Sequence, residues 1–265
     1  MTEQSLSYLT LAIASVLVIA NAVLSWLLRL GIGRSLLIAG MRAAVQLLLV
    51  GLVLRTVFAL GSPWLVAGVL IAMTASAAWE TMSRQRRHFA GHWAYSIGAG
   101  TIAVSTFPVT ALAITLLHPD PWFDPRFAIP MFGIVLGNAM SGISVTLNSF
   151  NTAVVREQRA IEARLALGAT RQQALAGVRS DAIRGGIIPV INQMSAAGII
   201  TLPGMMTGQV LAGMSPFEAA KYQIFVLFLL AGATGLGAAL AVISATWRIT
   251  DARHRLRLDR IAQAR

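Results

Sequence analysis

The chain has 265 residues, 56% of them hydrophobic and only 12% charged, at a mean hydropathy of +0.71. That is too apolar for a soluble domain of this size and predicts an integral membrane protein. The formal net charge of +11 raises nucleic acid as a partner, which the placement of the charges argues against, and the lack of cysteine excludes disulfides and thiolate metal sites.

Charge-free intervals run from Gln4 to Leu28, Thr56 to Trp79, His88 to Pro119, Phe127 to Val155, Gly185 to Phe217 and Tyr222 to Trp247; another, Ser35 to Leu54, is broken only by Arg42. Each can hold the ~20 apolar residues that cross a bilayer. The expected fold is therefore all-α, with about seven transmembrane helices. The first interval has no basic leader and is too long for a signal-peptide core, so it is expected to be retained as a helix. Arg29 and Arg34 follow span 1, Arg84, Arg86 and Arg87 follow span 3, six arginines lie between Arg156 and Arg184, and six more from Arg248 to Arg265. With the N-terminus outside, those 17 of the 21 basic residues share one side, as the positive-inside rule asks of cytoplasmic loops. The expectation is a multi-pass protein of the bacterial inner membrane, with its C-terminus cytoplasmic. Residues 1–265 would form a single transmembrane domain, with a basic tail over 248–265 and no soluble domain attached.

The outside connection His118 to Arg126 is proline-punctuated and aromatic, which fits an ordered interfacial turn. Span 5 carries Gly133, Gly137 and Ser141 at four-residue spacing, and Gly204, Gly208 and Ala212 repeat the pattern, so both stripes are expected to let another helix approach closely. Residues 151–185 are different in kind: an arginine-rich interruption that faces water. Val154, Val155, Ile161 and Leu165 alternate with charged residues over Val154 to Leu167, which predicts an amphipathic helix. Gly168 stands where a C-terminal cap belongs. Thr170 to Gln173 forms a capping-box pattern that opens a second helix through Leu175, Val178, Ala182 and Ile183. The product is helix, tight turn, helix, with an exposed knuckle at Gly168, Ala169 and Thr170; read blandly, it is a solvated loop.

The interval from Gly185 to Phe217 is too long for one span and is interrupted at Leu202-Pro203-Gly204, which suggests a broken helix. Ser215, Pro216 and Glu218 then supply an N-cap, a first-turn proline and a capping-box glutamate, so the last helix should start there and run to about Trp247.

No Gly-x-x-x-x-Gly-Lys-Ser/Thr loop occurs, Gly31-Ile32-Gly33-Arg34-Ser35 lacks the phosphate-binding lysine, and the only lysine is Lys221, so the chain is not expected to bind ATP itself. No metal-ligand spacing occurs among His88, His92, His118 and His254, and no nucleophilic triad is apparent, which argues against an intramembrane enzyme. Polar groups within spans are Arg42 and Gln46, four apart on span 2; Glu80 at the end of span 3; Asn138 in span 5; and Asn192 and Gln193 in span 6. They form either a translocation or gating path or interhelical hydrogen bonds. Met131, Met140, Met194, Met205, Met206 and Met214 gather in the second half, where thioethers either bind soft metals or simply pack.

With these residues laid out, the chain resembles the FetB-type permeases, the membrane subunits of an iron-export ABC transporter: in EARLALGATRQQA (Glu162 to Ala174), GNAM (Gly137 to Met140), Arg42 with Gln46, and LPGMMTGQVLAG (Leu202 to Gly213). The similarity extends from span 2 to the end of span 7. It implies a homodimer that exports iron or another metal ion, driven by a separate cytoplasmic ATPase subunit that carries ATP and Mg, with no cofactor or metal bound by this chain. It also gives residues 151–185 a role as the coupling element, with Glu162, Arg164, Gly168, Ala169, Thr170 and Arg171 as the ATPase-coupling set. Glu162-Ala163 followed by Gly168 is similar to the EAA loop of importer-type permeases, without the Leu-Pro that usually ends it. The translocation set is then Arg42, Gln46, Glu80, Asn138, Pro203, Gly204, Met205 and Met206. Two other classes stay open on the residues alone, an ion-gradient-driven secondary transporter and an ABC permease for a small organic solute. The first calls for acidic residues deep in the membrane, where this chain offers only Glu80.

Overall fold

The computed structural model describes residues 7–251, 253 and 255–263; His254 and Arg265 lie outside this set. The chain forms two units, divided after Gly61.

The first unit is a helical hairpin. Helix α1 (Tyr8–Leu27) starts at Ser7, whose hydroxyl accepts the Leu9 N–H at 3.2 Å. The turn to α2 (Gly33–Leu60) reverses through positive φ at Arg29 and Gly31, and Ser25 Oγ accepts from the Ile32 N–H at 3.2 Å. A Cβ at Gly33 would stand 2.7 Å from the Ala22 carbonyl oxygen, so a residue without a side chain is what lets α2 begin against α1. Nearly every other side chain of this hairpin is exposed within its unit, as expected of helices whose solvent is lipid.

The second unit comprises α3 (Pro63–Ser83), a short strand β1 (Arg87–Phe89), α4 (Trp93–Leu117), α5 (Pro125–Arg156), α6 (Gln158–Ala166), α7 (Arg171–Ala174), α8 (Ala176–Ala196), α9 (Gly204–Leu211), α10 (Pro216–Ile249) and strand β2 (Ile261–Gln263). Helices α5 and α10 pack together at its centre, flanked by α3, α4 and α8. The core is the shared stripe of Val135, Ala139, Ile143, Leu147, Phe150 and Val154 on α5 against Val226, Leu230, Ala233, Ala241 and Ala245 on α10. Among the described residues, six helices are long and apolar enough to cross a membrane: α1, α2, α3, α4, α5 and α10.

The expected seventh span is divided. Helix α8 begins nine residues before the charge-free interval does, because its buried stripe of Val178, Ala182, Gly186 and Val190 continues through Arg179, Asp181 and Arg184. It ends at Ala196; residues 197–203 are non-helical, with Gly198 at φ +83° and its N–H bonded to the Thr201 carbonyl at 2.9 Å. The interruption is thus seven residues wide, and Pro203 caps α9 at its downstream edge rather than breaking a helix in mid-membrane. The last helix starts as expected, with Pro216 in the first turn and the Ser215 side chain accepting from the Glu218 N–H at 3.3 Å, but the Glu218 carboxylate turns to Lys221 at 2.8 Å instead of closing the box.

The close helix crossings also lie elsewhere than expected. Around Gly137, Gly204 and Gly208 an added Cβ meets nothing within 4 Å, and at Gly133 it would stand 3.1 Å from Met73 Cε. The contacts that require glycine are at Gly142, Gly186 and Gly237. A Cβ on Gly142 would overlap Thr234 Cγ2 and reach 3.0 Å from the Gly186 oxygen; one on Gly186 would overlap Thr146 Oγ1 and reach 2.7 Å from the Gly142 oxygen; one on Gly237 would come within 2.8 Å of Ile143 Cδ1. These three positions bring α8 and α10 onto the middle of α5, so the backbones approach where lipid-embedded helices gain most from van der Waals contact.

The fold is all-α, as expected, with one short two-stranded ribbon added. The basic tail returns after α10 through a Thr250–Leu256 bridge and a 3-10 turn (Leu258–Arg260), and β2 pairs antiparallel with β1, Arg87 facing Gln263 and Phe89 facing Ile261.

Candidate functional site

At one end of the second unit the C-termini of α3, α5 and α10 meet the N-termini of α4 and α8, and the arginines collect there. The anchor is buried Asn151 of α5, whose Nδ2 donates to the Arg87 carbonyl at 3.0 Å, while Asn148 Oδ1 accepts from the Arg86 N–H at 3.0 Å. Buried Gln85 closes the end of α3 through the Thr81 carbonyl at 3.0 Å. Two span amides therefore fix the basic loop after α3, and β1 in turn fixes the tail through β2. In that tail, Arg257 donates twice to Asp259 at 2.8 Å and holds its carboxyl down at about 2, and the Arg255 backbone N–H is the main cause of a lowered Asp251.

The helix-turn-helix stands on this end. Val154 and Val155, expected in the amphipathic helix, belong instead to α5, which continues to Arg156 because Asn151 and Val154 are still fully buried. The separate helix starts at Gln158, seats Ile161 in the core and leaves Glu162 exposed, accepting from Gln158 Nε2 at 3.0 Å. Gly168 takes φ +88°, the left-handed conformation expected of its cap position. Thr170 closes a complete capping box: Gln173 Oε1 accepts the Thr170 N–H at 2.9 Å, and Thr170 Oγ1 accepts the Gln173 N–H. The second helix kinks at Leu175, which separates α7 from α8, while Ala174 and Leu175 are fully buried.

Two arginines of the expected coupling set have partners within the chain. Arg164 Nη1 donates to the Ala174 carbonyl at 3.2 Å, tying α6 to α7 across the turn. The Arg171 guanidinium lies 3.6 Å over the Trp247 ring, tying α7 to the end of α10. What points outward is the knuckle, and its tip is Leu167, 88% exposed beside Gly168. Sequence reading missed both Leu167 and Trp247. A leucine directly before a capping glycine in a charged segment was the available signal for the first; the second needs a contact 76 positions apart in the chain, between Arg171 and Trp247.

The expected translocation residues are divided between the two units. Arg42 and Gln46 lie one turn apart, exposed, on α2 of the first unit. In the second unit Glu80 sits near the basic end of α3, accepting from Arg84 Nε at 2.9 Å. Asn138 lies in mid-α5, and its Nδ2 donates to its own helix at the Ile134 carbonyl, 3.0 Å away. Pro203, Gly204, Met205 and Met206 form the start of α9, which packs on α10; Met205 leans on the core, and Met206 is half-buried. Among the described residues no three His, Asp or Glu side chains converge as a metal-ligand group.

Comparison with known proteins gives a consistent relationship. The model of an uncharacterised protein family, UPF0014, matches residues 8–249. A UPF0014 membrane protein of Synechocystis is 37% identical over 80% of this chain and 81% of its own length. The probable iron export permease protein FetB of Escherichia coli is 31% identical over 97% of each chain, and the protein ALUMINUM SENSITIVE 3 of Arabidopsis thaliana is 32% identical over 84% of this chain and 80% of its own. No solved structure matches.

Proposed function

This chain is a member of the UPF0014 family of membrane proteins, and from that premise and the geometry of its basic end we propose that it is the permease subunit of an ABC transporter, with the basic end in the cytoplasm. The observation that carries the reading is the knuckle. It is a glycine turn between two capped helices, apolar at its tip and exposed, while Ile161, Ala174 and Leu175 at its base are fully buried and Arg171 is stacked on the last span. A rigid base with a small projecting tip suits insertion into a groove of a cytoplasmic ATPase, since buried apolar anchors dominate binding energy at interfaces. Glu162, Gly168, Ala169 and Thr170 then shape the tip, and Arg164 and Arg171 transmit its movement to α7, α8 and α10. ATP and Mg belong to the ATPase, and two copies of this chain would complete the transport path. Iron or another metal ion is the cargo that the Escherichia coli relative's name favours. The backbone carbonyls of the seven-residue interruption before α9 and the adjacent Met205 are the weak transient ligands that a transported ion can leave.

The test uses the tagged full chain purified from its native membrane in mild detergent, followed by vesicles loaded with ferrous iron. The wild-type protein should carry co-eluting ATP hydrolysis and ATP-dependent iron movement. Leu167→Asp and Gly168→Val should lower both at least about tenfold, as truncating an interface hot spot does, with insertion and dimerisation unchanged. Arg171→Gln should retain the ATPase but uncouple hydrolysis from transport. Iron movement driven by an ion gradient, with no ATP hydrolysis, would place the chain among secondary transporters instead.

A further inference from the structure

Beside the basic end, α4 and α10 diverge into a groove of about 590 Å³ that meets the proposed coupling element only through Trp247. Its floor is apolar, formed by Ile97, Gly100, Val104, Leu240 and Ile243, and its mouth is framed by Trp93 and Trp247 with Arg248 and Arg260. From Trp93 to Val104 the groove follows α4 for eleven residues, about 16 Å at 1.5 Å per residue. That is one leaflet's share of a ~30 Å hydrocarbon core.

The mouth carries net positive charge, since the one charge of nearby Asp259 is set against Arg248, Arg257 and Arg260. Asp259 is taken by Arg257 and Asp251 by Arg255, and among the described residues Arg248 and Arg260 form no ion pair. Arg248 is held in place two ways: its guanidinium lies 4.7 Å over the Trp93 ring, and its carbonyl accepts from Arg260 Nη1 at 2.8 Å; its Nε is buried with no hydrogen-bond partner among the described residues. A buried guanidinium N–H without an acceptor is costly, so an acceptor is expected from outside the chain. One of the two residues that position Arg248, Arg260, comes from the returning tail, which gives β2 and the 3-10 turn a purpose that the helices alone do not.

We propose that this groove binds an anionic phospholipid, its phosphate between Arg248 and Arg260 and its acyl chains along Gly100, Val104, Leu240 and Ile243. The two indoles sit at the depth of the headgroup, where tryptophan is favoured. The length of the groove selects a lipid over a free phosphate, and the paired guanidiniums select an anionic headgroup over a zwitterionic one. Trp247 lines the groove with one part of its ring system while Arg171 of α7 lies over it, so the bound lipid and the helix-turn-helix share one side chain.

The experiment titrates the full chain, purified in detergent, with phosphatidylglycerol carrying brominated acyl chains and reads quenching of tryptophan fluorescence. Brominated phosphatidylcholine is the comparator. Wild-type protein should show a saturable component that prefers phosphatidylglycerol about thirtyfold, the product expected of two basic residues, and that disappears in Trp93→Phe/Trp247→Phe. Arg248→Gln/Arg260→Gln should reduce the preference to within about twofold. Gly100→Leu adds its side chain into open groove, since a Cβ there meets nothing within 4 Å, so it should block both lipids while leaving the arginines and the fold in place. Equal quenching by the two lipids in wild type would overturn the proposal. So would a Gly100→Leu protein that still binds, competition by glycerol phosphate as strong as by the lipid, or cross-linking of Ile243→Cys to its own copy showing that a second protomer fills the groove.

Discussion

Gly186→Ala should split the stability of this fold from its composition. The added methyl overlaps Thr146 Oγ1 and stands 2.7 Å from the Gly142 carbonyl oxygen, a backbone atom that cannot rotate away. Relief requires α8 to move off α5, and over-packing of this kind costs about 1–3 kcal/mol, against which alanine's helix preference returns up to about 1 kcal/mol. The net expectation is destabilisation of roughly 1–2 kcal/mol. Thr146→Ala removes the hydroxyl but not the carbonyl, so it should rescue only part of the loss. Gly142→Ala behaves alike, but its worst neighbour is Thr234 Cγ2, and Thr234→Ser deletes that atom. Gly137→Ala is the counter-case: it lies in the same helix with nothing within 4 Å, and should be neutral or stabilising by up to about 1 kcal/mol. The assay is unfolding of the purified proteins in one detergent, followed by denaturant-dependent tryptophan fluorescence, with the double mutants closing each cycle. Equal effects of Gly137→Ala and Gly186→Ala would refute the idea that one crossing is closed and the other open.

Two further predictions concern the ends of the unit. Topology is read by impermeant thiol labelling of intact cells, in a chain with no native cysteine. Asp124 and Thr170 both cap helices, so Trp122 and Leu167 are the better sites; Trp122→Cys should label and Leu167→Cys should label only after permeabilisation, and the reverse would invert the orientation. The tail should resist acid: Arg257 depresses the folded Asp259 carboxyl to about 2, so its contribution is fully present above the ordinary value of 3.8 and is lost only as pH falls through about 2. Amide-exchange protection of residues 258–263 should therefore hold from neutral pH down through pH 4, and loss of protection near pH 4 would refute the pairing.

Sequence alone determined whatever rests on local chemistry. The membrane class follows from uninterrupted apolar length, the positive φ at Gly168 from the need for a residue without a Cβ, and the Thr170–Gln173 box from two hydrogen bonds three residues apart. The start of α10 at Ser215 and Pro216 was legible for the same reason. Tertiary structure decided what depends on partners distant in the chain. The small-residue spacing of Gly133, Gly137 and Ser141 is as good a packing pattern as any, yet Gly142, Gly186 and Gly237 make the close crossings, because which face turns inward is fixed by the helices on either side. The charge-free interval opens nine residues into α8, since Arg179, Asp181 and Arg184 occupy one side of a helix whose other side is buried. Within the helix-turn-helix, Arg164 and Arg171 reach a carbonyl and an indole of their own chain. A guanidinium's reach is long and its sequence context says nothing of where it ends, so the stacking of Arg171 on Trp247, and of Arg248 on Trp93, exists only once the spans have set those residues side by side.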